Sequence, residues 1–319
     1  MSMAWLLPLA FSFALAIDRL CGEPPLWAHP VVAMGQYLGL FTAVLARQPA
    51  GLAFVGGALA WCVGAGLCIA LAMLLETQLI AQTQAWLGGA HLLLCAALLG
   101  LLLKPLLAWR MLREEVAAVE AALAESLPAG RARLARLVSR DTTQLSEAEV
   151  REAVLETLAE NLNDSVVAPL FWAMIAGLPG AALYRFANTA DAMWGYRDRR
   201  EWSGKWAARA DDALSWIPAR LTALTYALLG RTRNALTCWQ TQAPDWDSPN
   251  AGPVMSAGAG SLGVLLGGAA IYHGREEIRP PLGTGPAPVA ADLGRAITLV
   301  QRSLWLWLAC LFLIGCLHA

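Results

Sequence analysis

The sequence predicts an all-α, polytopic integral membrane protein with about four clear spanning helices, further re-entrant or buried apolar helices, and a cytoplasmic helical hairpin. Of its 319 residues, 57% are hydrophobic and only 15% are charged, whereas a soluble domain carries about 25% charged residues. The mean hydropathy is +0.50. About 20 apolar residues cross a hydrocarbon core of roughly 30 Å. Four apolar stretches define the clear spans: 3–17, 51–75, 85–103 and 303–317.

Lys and Arg residues are distributed unevenly between the connecting segments, and this predicts the orientation. Segment 76–84 has no Lys or Arg, whereas 104–165 has eight. Because positively charged loops stay on the cytoplasmic side, we expect 18–50 and 104–165 inside, and 76–84 and the N-terminus outside. No Lys or Arg precedes the first apolar stretch, so we expect a retained helix rather than a cleaved signal peptide.

Three further apolar runs are interrupted: 166–183 by Leu-Pro-Gly, 213–230 by Ile-Pro-Ala-Arg, and 254–272 by many glycines. The loops between them are basic, so three full crossings would place some of these loops outside. Re-entrant or protein-buried helices would keep every charged loop on one side, with the irregular backbone covered by protein or lining a cavity. Ordinary crossings with a weak charge bias are the alternative.

The region 105–137 is amphipathic, with apolar residues at three-to-four spacing. This pattern predicts a cytoplasmic helical hairpin that turns near Pro128–Gly130. No internal repeat or second soluble domain is evident. We therefore expect 1–319 to form a single membrane-embedded domain, of which 104–165 is mostly cytoplasmic amphipathic helix.

The composition excludes several classes of protein. The net charge of −1 gives no attraction to nucleic acid, so no nucleic-acid partner is expected. Seven cysteines without a CxxC pair predict reduced thiols rather than disulfides or a zinc site. Neither GxxxxGK[ST] nor GxSxG occurs, so a P-loop and a Ser-His-Asp hydrolase are not expected.

The stretch SEAEVREAVLETLAENLND reads as a helix that starts at Ser146, where Ser146 and Glu149 form a capping-box pattern. Its acidic residues recur every fourth position and end at Glu160 and Asp164, against an apolar run. A carboxylate in that position requires a cation or a hydrogen-bond donor nearby.

Other polar residues also cluster at the borders of apolar runs. Carboxylates hold Mg²⁺, which prefers oxygen ligands and bridges phosphates, while arginines bind phosphate oxygens. We predict metal ligands at Asp141, Asp164, Asp211 and Asp212. We predict catalytic roles for Glu160, Asp164 and Asp191. Substrate or phosphate binding is predicted for His29, Arg140, Asn161, Arg185, Asn188, Arg209, Arg220, Ser248 and Asn250. Intramembrane ion pairs are the structural alternative for each of these residues.

Several long motifs resemble the CobD/CbiB family of cobalamin biosynthesis. They are DRLCGEPPLWAHPVVAMG, SRDTTQLSEAEVREAVLETLAENLNDSVVAPLFW, YRFANTADAMWGY, DDALSWIPARLT and SPNAGPVMSAGAGSLGVLLGG. The resemblance covers nearly the whole chain in unbroken order.

The resemblance implies an adenosylcobinamide-phosphate synthase of the inner membrane, with its active site facing the cytoplasm. Such an enzyme joins (R)-1-amino-2-propanol, free or as its O-phosphate, to the free propionate of adenosylcobyric acid. ATP and Mg²⁺ are implied, and no tightly bound prosthetic group is expected. Expected partners are the two substrates, the lipid bilayer and other late-pathway membrane enzymes.

The chain departs from the family pattern at three positions. Arg185 stands where relatives often have Lys, Ser215 where Asn commonly follows the paired aspartates, and Met255 where an acid often follows SPN. Alternatives are a corrinoid transporter, an AmpE-like regulatory membrane protein, or a Mg²⁺-dependent membrane prenyltransferase. The last would require paired NDxxD-like motifs, to which NLND and NTADAM are imperfect matches.

Overall fold

The computed structural model describes residues 3–87, 91–196, 200–272 and 275–318. The described residues are mostly helical: α1 Leu6–Cys21, α2 Pro30–Leu45, α3 Ala50–Leu87, α4 His91–Leu103, α5 Trp109–Glu125, α6 Leu127–Leu134, α7 Glu147–Leu162, α8 Ala168–Trp194, α9 Glu201–Leu229, α10 Thr232–Gln242, α11 Ala251–Leu262 and α12 Ala290–His318. The strands β1 Leu265–Tyr272 and β2 Arg275–Gly283 pair in antiparallel fashion.

The chain divides into two compact units. Unit 1 comprises Met1–Ala108, Asp164–Ser215 and Leu308–Ala319. Unit 2 comprises Trp109–Asn163 and Trp216–Trp307.

Four helical segments are long and apolar enough to cross a membrane: Met3–Cys21, Ala50–Trp86, Glu147–Trp194 and Ala290–His318. The protein is therefore an all-α, polytopic membrane protein. Three of these segments contain the spans predicted at 3–17, 51–75 and 303–317. The stretch 85–103 corresponds to α4 and the 3-10 turn that extends it to Leu106. This segment, His91–Leu106, is a fifth candidate span together with Trp109–Glu125, which follows it after a bend of 40°.

The third of these segments contains a reversal of the chain. Ala176 and Gly177 have non-helical backbone angles, with φ/ψ of −137°/23° and 64°/−154°. The Tyr184 hydroxyl donates a hydrogen bond to Asp164 Oδ1 at 3.3 Å. Twenty residues of straight helix would separate these two residues by about 30 Å, so the helix must fold back on itself.

Residues 164–176 and 178–194 are thus two antiparallel arms, called the α8 hairpin below. The first arm begins with a π-helical turn, Asn163–Val167, and is about 20 Å long. An arm of that length does not cross the hydrocarbon core. A re-entrant or protein-buried run at 166–183, which the sequence favours, requires such a reversal; whether the run enters the membrane stays a prediction.

Two glycines and one carboxylate form the tip of the α8 hairpin. Gly177 has φ +64°, and an added Cβ there would lie 2.5 Å from the Glu76 carboxylate. A Cβ on Gly180 would lie 2.2 Å from the carbonyl oxygen of Trp172. The Glu76 carboxylate of α3 interacts with the backbone N–H of Leu178 at the start of the second arm, where the unpaired N–H groups of a helix favour a negative charge.

Aromatic contacts pack the second arm against α2 and α3 in unit 1. The Phe186 ring lies 6.2 Å from that of Tyr37 and 6.0 Å from that of Trp61, measured between centroids. The first arm is tied to α9, because Trp172 Nε1 donates to the Leu214 carbonyl at 2.9 Å. These contacts fix both arms relative to the start of α9.

Unit 2 contains the predicted hairpin of amphipathic helices, α5 and α6. Its turn lies at Ser126, whose Oγ accepts from Ala129 N and caps α6. Pro128 is therefore in the first turn of a helix and not in the connecting loop, as its missing N–H allows. The capping box of Ser146 and Glu149 at the start of α7 is present as predicted.

The apolar run 254–272 is only partly helical, contrary to the sequence prediction of a helix. Gly263, with φ +70°, ends α11, and the chain continues into β1. The hairpin of β1 and β2 has an irregularity between Leu266 and Gly268. The left-handed glycine stops the helix, and the chain that follows pairs with β2 as β1.

Candidate functional site

Four carboxylates gather at the open end of the α8 hairpin, all within unit 1. Asp164 begins the first arm, Asp191 lies near the end of the second, and α9 contributes Asp211 and Asp212. Asp211 interacts electrostatically with the other three, and Asp191 interacts with Asp164 and Asp212. The reversal of the chain at Gly177 brings the two arms of this group together. We call the four residues the acidic cluster.

A buried tyrosine holds one member of the acidic cluster. Tyr184 is 0% exposed, and its hydroxyl donates to Asp164 Oδ1 at 3.3 Å. The Ser215 hydroxyl lies 3.1 Å from the same Tyr184 oxygen. Because the phenol has one hydrogen and gives it to the carboxylate, Ser215 donates to Tyr184.

Arg185 supplies a positive charge beside the acidic cluster. Its Nη1 donates to the Asp164 carbonyl oxygen at 3.3 Å and lies 3.5 Å from Asn188 Oδ1. The Asn188 side chain in turn interacts with the Asp211 carboxylate. The predicted residues Asp164, Arg185, Asn188 and Asp211 are thus brought together in one network.

Two buried atoms in this network lack a protein partner within the described part of the chain: Asp211 Oδ1 and Arg185 Nε. Burial and the neighbouring carboxylates raise the pKa of Asp211 well above its ordinary value, although the interaction with Asn188 opposes this. Burial also raises the pKa of Asp212. Buried polar atoms normally have partners, so these atoms indicate that a charged ligand completes the site.

The chemistry of the acidic cluster fits a hard divalent cation, since it offers carboxylate oxygens and excess negative charge. Within the ranges that the structure describes, no three His, Cys, Asp or Glu residues form a metal-binding group. Mg²⁺ does not require such a group, because it commonly binds through one or two carboxylates, water and substrate phosphates. Asp164 and Asp211 are the residues best placed to hold it.

A second charged network in unit 1 involves His29. Lys104 is buried, and its Nζ lies 3.3 Å from Asp18 Oδ1 and 2.7 Å from Glu23 Oε2. His29 Nε2 lies 3.3 Å from the same Glu23 oxygen, and His29 Nδ1 accepts from Val31 N at 3.2 Å. Both ring nitrogens therefore have protein partners. Glu23 also interacts electrostatically with Arg185, which links this network to the acidic cluster.

In unit 2, the predicted phosphate ligand Arg140 forms a buried ion pair with Glu156. Glu156 also accepts from Arg279 Nη1 at 2.8 Å and from Gly267 N at 3.0 Å. One carboxylate thereby joins α7 to the strands β1 and β2. Arg140 thus has a structural partner, independent of any ligand.

Arg220 in unit 2 organises the turn that precedes α11. It donates to Asn250 Oδ1 and to the Pro249 carbonyl, both at 2.9 Å, and lies 4.3 Å from the centre of the Trp216 ring. Ser248 Oγ accepts from Ala251 N at 3.1 Å. The predicted residues Arg220, Ser248 and Asn250 are therefore neighbours in one turn.

The remaining predicted residues lie apart from these networks. Asp141 is exposed in unit 2, and hydrogen bonds from Thr143 lower its pKa. Asn161 Nδ2 donates to the Thr157 carbonyl of its own helix at 2.9 Å, and Glu160 is half-buried. Arg209 is exposed on α9.

Sequence reasoning missed Tyr184, Lys104 and Glu156 as members of polar networks. A hydroxyl or charge in an apolar run is a usable signal for Tyr184 and Lys104, because such a group must find a partner when buried. No local signal identifies Glu156, whose partner Arg279 lies 123 residues away.

Comparison with known proteins identifies the family to which this chain belongs. The model of the CobD/Cbib protein family matches residues 11–300. Cobalamin biosynthesis protein CobD of Chromobacterium violaceum is 48% identical over the full length of both chains. The protein of that name from Stutzerimonas stutzeri is 49% identical, over 96% of this chain and 97% of that protein. That from Halalkalibacterium halodurans is 35% identical over 96% of each chain.

No experimentally solved structure matches the chain. The fold and the acidic cluster define a polytopic helical membrane protein with a buried, charged cluster on a helical hairpin. The chain belongs to the CobD/CbiB family.

Proposed function

We propose that this protein is the ligase that forms the amide between an aminopropanol and the free propionate of adenosylcobyric acid, at the expense of ATP. As a member of its family, the chain takes part in cobalamin biosynthesis. The observation that carries the finer proposal is the acidic cluster beside Arg185, with its two buried, unpartnered polar atoms among the described residues.

The chemistry of the reaction matches this site. A propionate oxygen attacks the γ-phosphorus of ATP, ADP leaves, and an acyl phosphate forms. The amine then attacks the acyl carbon, phosphate leaves, and the nitrogen loses a proton to a base. Phosphoryl transfer depends mainly on positioning and on neutralising negative charge, and a dry pocket protects the acyl phosphate from water.

The residues of unit 1 take the following roles in this proposal. Asp164 and Asp211 hold Mg²⁺, which would neutralise phosphate charge when bound. Arg185 directs its guanidinium to the phosphate, a geometry for which arginine is suited. Asp191, among the other carboxylates, accepts the proton of the amine.

We place the site on the cytoplasmic side of the inner membrane, where ATP is present. The uneven distribution of Lys and Arg supports this orientation. Both free aminopropanol and its O-phosphate are candidate amines, and an anionic amine would favour the basic residues near the site.

The test is turnover by detergent-purified protein given adenosylcobyric acid, ATP, Mg²⁺ and either amine, read by mass spectrometry. We expect the amide product with one ADP released per amide. The matched control is Asp211→Asn, which keeps the shape of the side chain and should lose about a hundredfold or more in kcat.

A folded wild-type protein that makes no amide with either amine would overturn the proposal. Uptake of corrinoid into vesicles without ADP release would favour a carrier. Pyrophosphate release with a prenyl donor would favour a prenyltransferase.

A further inference from the structure

Tyr184 and Ser215 form a directed chain of hydrogen bonds that ends on the acidic cluster. Ser215 donates to Tyr184, and Tyr184 donates to Asp164 Oδ1. Tyr184 is 0% and Ser215 2% exposed, so water does not compete for these bonds.

These hydrogen bonds restrain Asp164, which lies in an irregular turn of helix. Asp164 lies in the π-helical turn Asn163–Val167, and π-helical turns are rare features that often occur at functional sites. Its carbonyl oxygen is held by Arg185 and its Oδ1 by Tyr184. Two contacts from the second arm therefore fix both the backbone and the side chain of this one residue.

We propose that Tyr184 is a positioning residue, which, supported by Ser215, orients the Asp164 carboxylate for binding a divalent cation. This inference rests on the function proposed above. A fixed orientation avoids the loss of side-chain freedom when the cation binds. In this proposal Tyr184 acts through Asp164 and has no contact of its own with the substrates.

The test uses Tyr184→Phe, which removes only the hydroxyl, with Ser215→Ala and the double variant. We expect Tyr184→Phe to weaken Mn²⁺ binding to the purified, nucleotide-free protein, measured by electron paramagnetic resonance, by about ten- to hundredfold. The kcat should fall by a similar factor at fixed Mg²⁺ and recover in part at high Mg²⁺, while KM for the amine changes less than about threefold.

Ser215→Ala should give a smaller loss of the same kind. It should add nothing to Tyr184→Phe, because Ser215 acts through the tyrosine hydroxyl. If the losses of Mn²⁺ affinity in the two single variants add up in the double variant, Ser215 does not act through the Tyr184 hydroxyl.

Tyr226→Phe is the matched control. Tyr226 is 1% exposed, and its hydroxyl donates to the Ala159 carbonyl at 2.9 Å, so the same atom is lost from a neutral hydrogen bond. We expect a lower melting temperature with unchanged Mn²⁺ affinity and kcat.

The outcomes separate this inference from the proposed function. If the wild type makes the amide and Tyr184→Phe binds Mn²⁺ and turns over like the wild type, the positioning role is wrong and the ligase assignment stands. If Tyr184→Phe binds Mn²⁺ less well than the wild type does, but the wild type makes no amide, the ligase assignment is wrong and the positioning role stands.

Discussion

The carboxylate of Glu76 in α3 interacts with the backbone N–H of Leu178, the first residue after the reversal in the α8 hairpin. Helix N-termini leave N–H groups without partners, and burying such groups without a partner is costly. An acid from a neighbouring helix therefore stabilises the reversal. The open end of the hairpin, where the acidic cluster lies, depends on this tip.

Gly177→Ala should destabilise the protein by about 1–3 kcal/mol, because its backbone conformation is one that only glycine adopts readily. The new Cβ would also lie 2.5 Å from the Glu76 carboxylate. We expect a lower melting temperature in detergent and reduced turnover, since the arms position Asp164 and Asp191.

The control for this change is Gly66→Ala in α3, where an added Cβ meets nothing within 4 Å. Replacing glycine by alanine in a helix favours folding, so the melting temperature should stay the same or rise. Equal melting temperatures for Gly177→Ala and the wild type would contradict the tip structure.

The sequence predicts much of this fold in physical terms. Apolar length reveals the spans, and the Leu-Pro-Gly interruption together with basic flanking segments predicts the re-entrant run 166–183. The hydrophobic pattern cannot predict that Tyr184 contacts Asp164, because periodicity describes the faces of one helix and not the residues that pack against it. The strand β1 was missed because small apolar residues such as those of 263–270 suit a buried helix and a strand alike.

For the candidate site, too, the sequence predicts which residues matter but not which residues they contact. Residue types and apolar borders selected Asp164, Asp191, Asp211 and Asp212, which the fold brings together. They also selected Asp141 and Glu160, which belong to unit 2. They could not show whether an arginine binds a ligand or another residue of the protein. Arg140 and Arg220 both have protein partners that become visible only in three dimensions.

Glu156→Ala should destabilise the protein by about 3–5 kcal/mol, because it leaves the guanidinium groups of Arg140 and Arg279 without their shared carboxylate. Glu156 is 2% exposed. The measurement is the denaturant midpoint in detergent. Glu114→Ala, which removes an exposed pair with Arg110, should change stability by less than about 0.5 kcal/mol. A small effect at both positions would show that the buried ion pair does not hold α7 to the β-strands.

Arg220→Lys should destabilise the protein by about 1–2 kcal/mol through loss of its hydrogen bonds to Asn250 and Pro249, which an ammonium cannot reproduce in the same planar arrangement. Arg209→Lys is the matched control, since Arg209 is exposed on the same helix. Melting temperature is the readout. A drop in turnover for Arg220→Lys with an unchanged melting temperature would instead indicate direct contact with substrate.

Asp211→Asn should abolish turnover yet stabilise the metal-free protein at neutral and higher pH. Because the folded state raises the pKa of Asp211, the neutral carboxyl is favoured in the fold. Its contribution to stability is full below its unfolded-state pKa of about 3.9 and is lost as pH rises through the higher folded-state pKa. The melting temperature of the wild type in chelator should therefore fall, relative to that of Asp211→Asn, as pH rises from about 5 to 8. Adding Mg²⁺ should restore the wild type and leave the variant unchanged.

The control for the pH dependence is Asp141→Asn. Asp141 is an exposed carboxylate whose pKa is shifted in the opposite direction to that of Asp211. Hydrogen bonds from Thr143 lower the pKa of Asp141, so its contribution is present above its unfolded-state pKa and is lost as pH falls through its folded-state pKa. The difference in melting temperature between Asp141→Asn and the wild type should therefore stay constant from pH 5 to 8 and shrink only in acid. Parallel melting curves for Asp211→Asn and the wild type from pH 5 to 8, with no response to Mg²⁺ in either, would show that Asp211 is not a buried charge awaiting a cation.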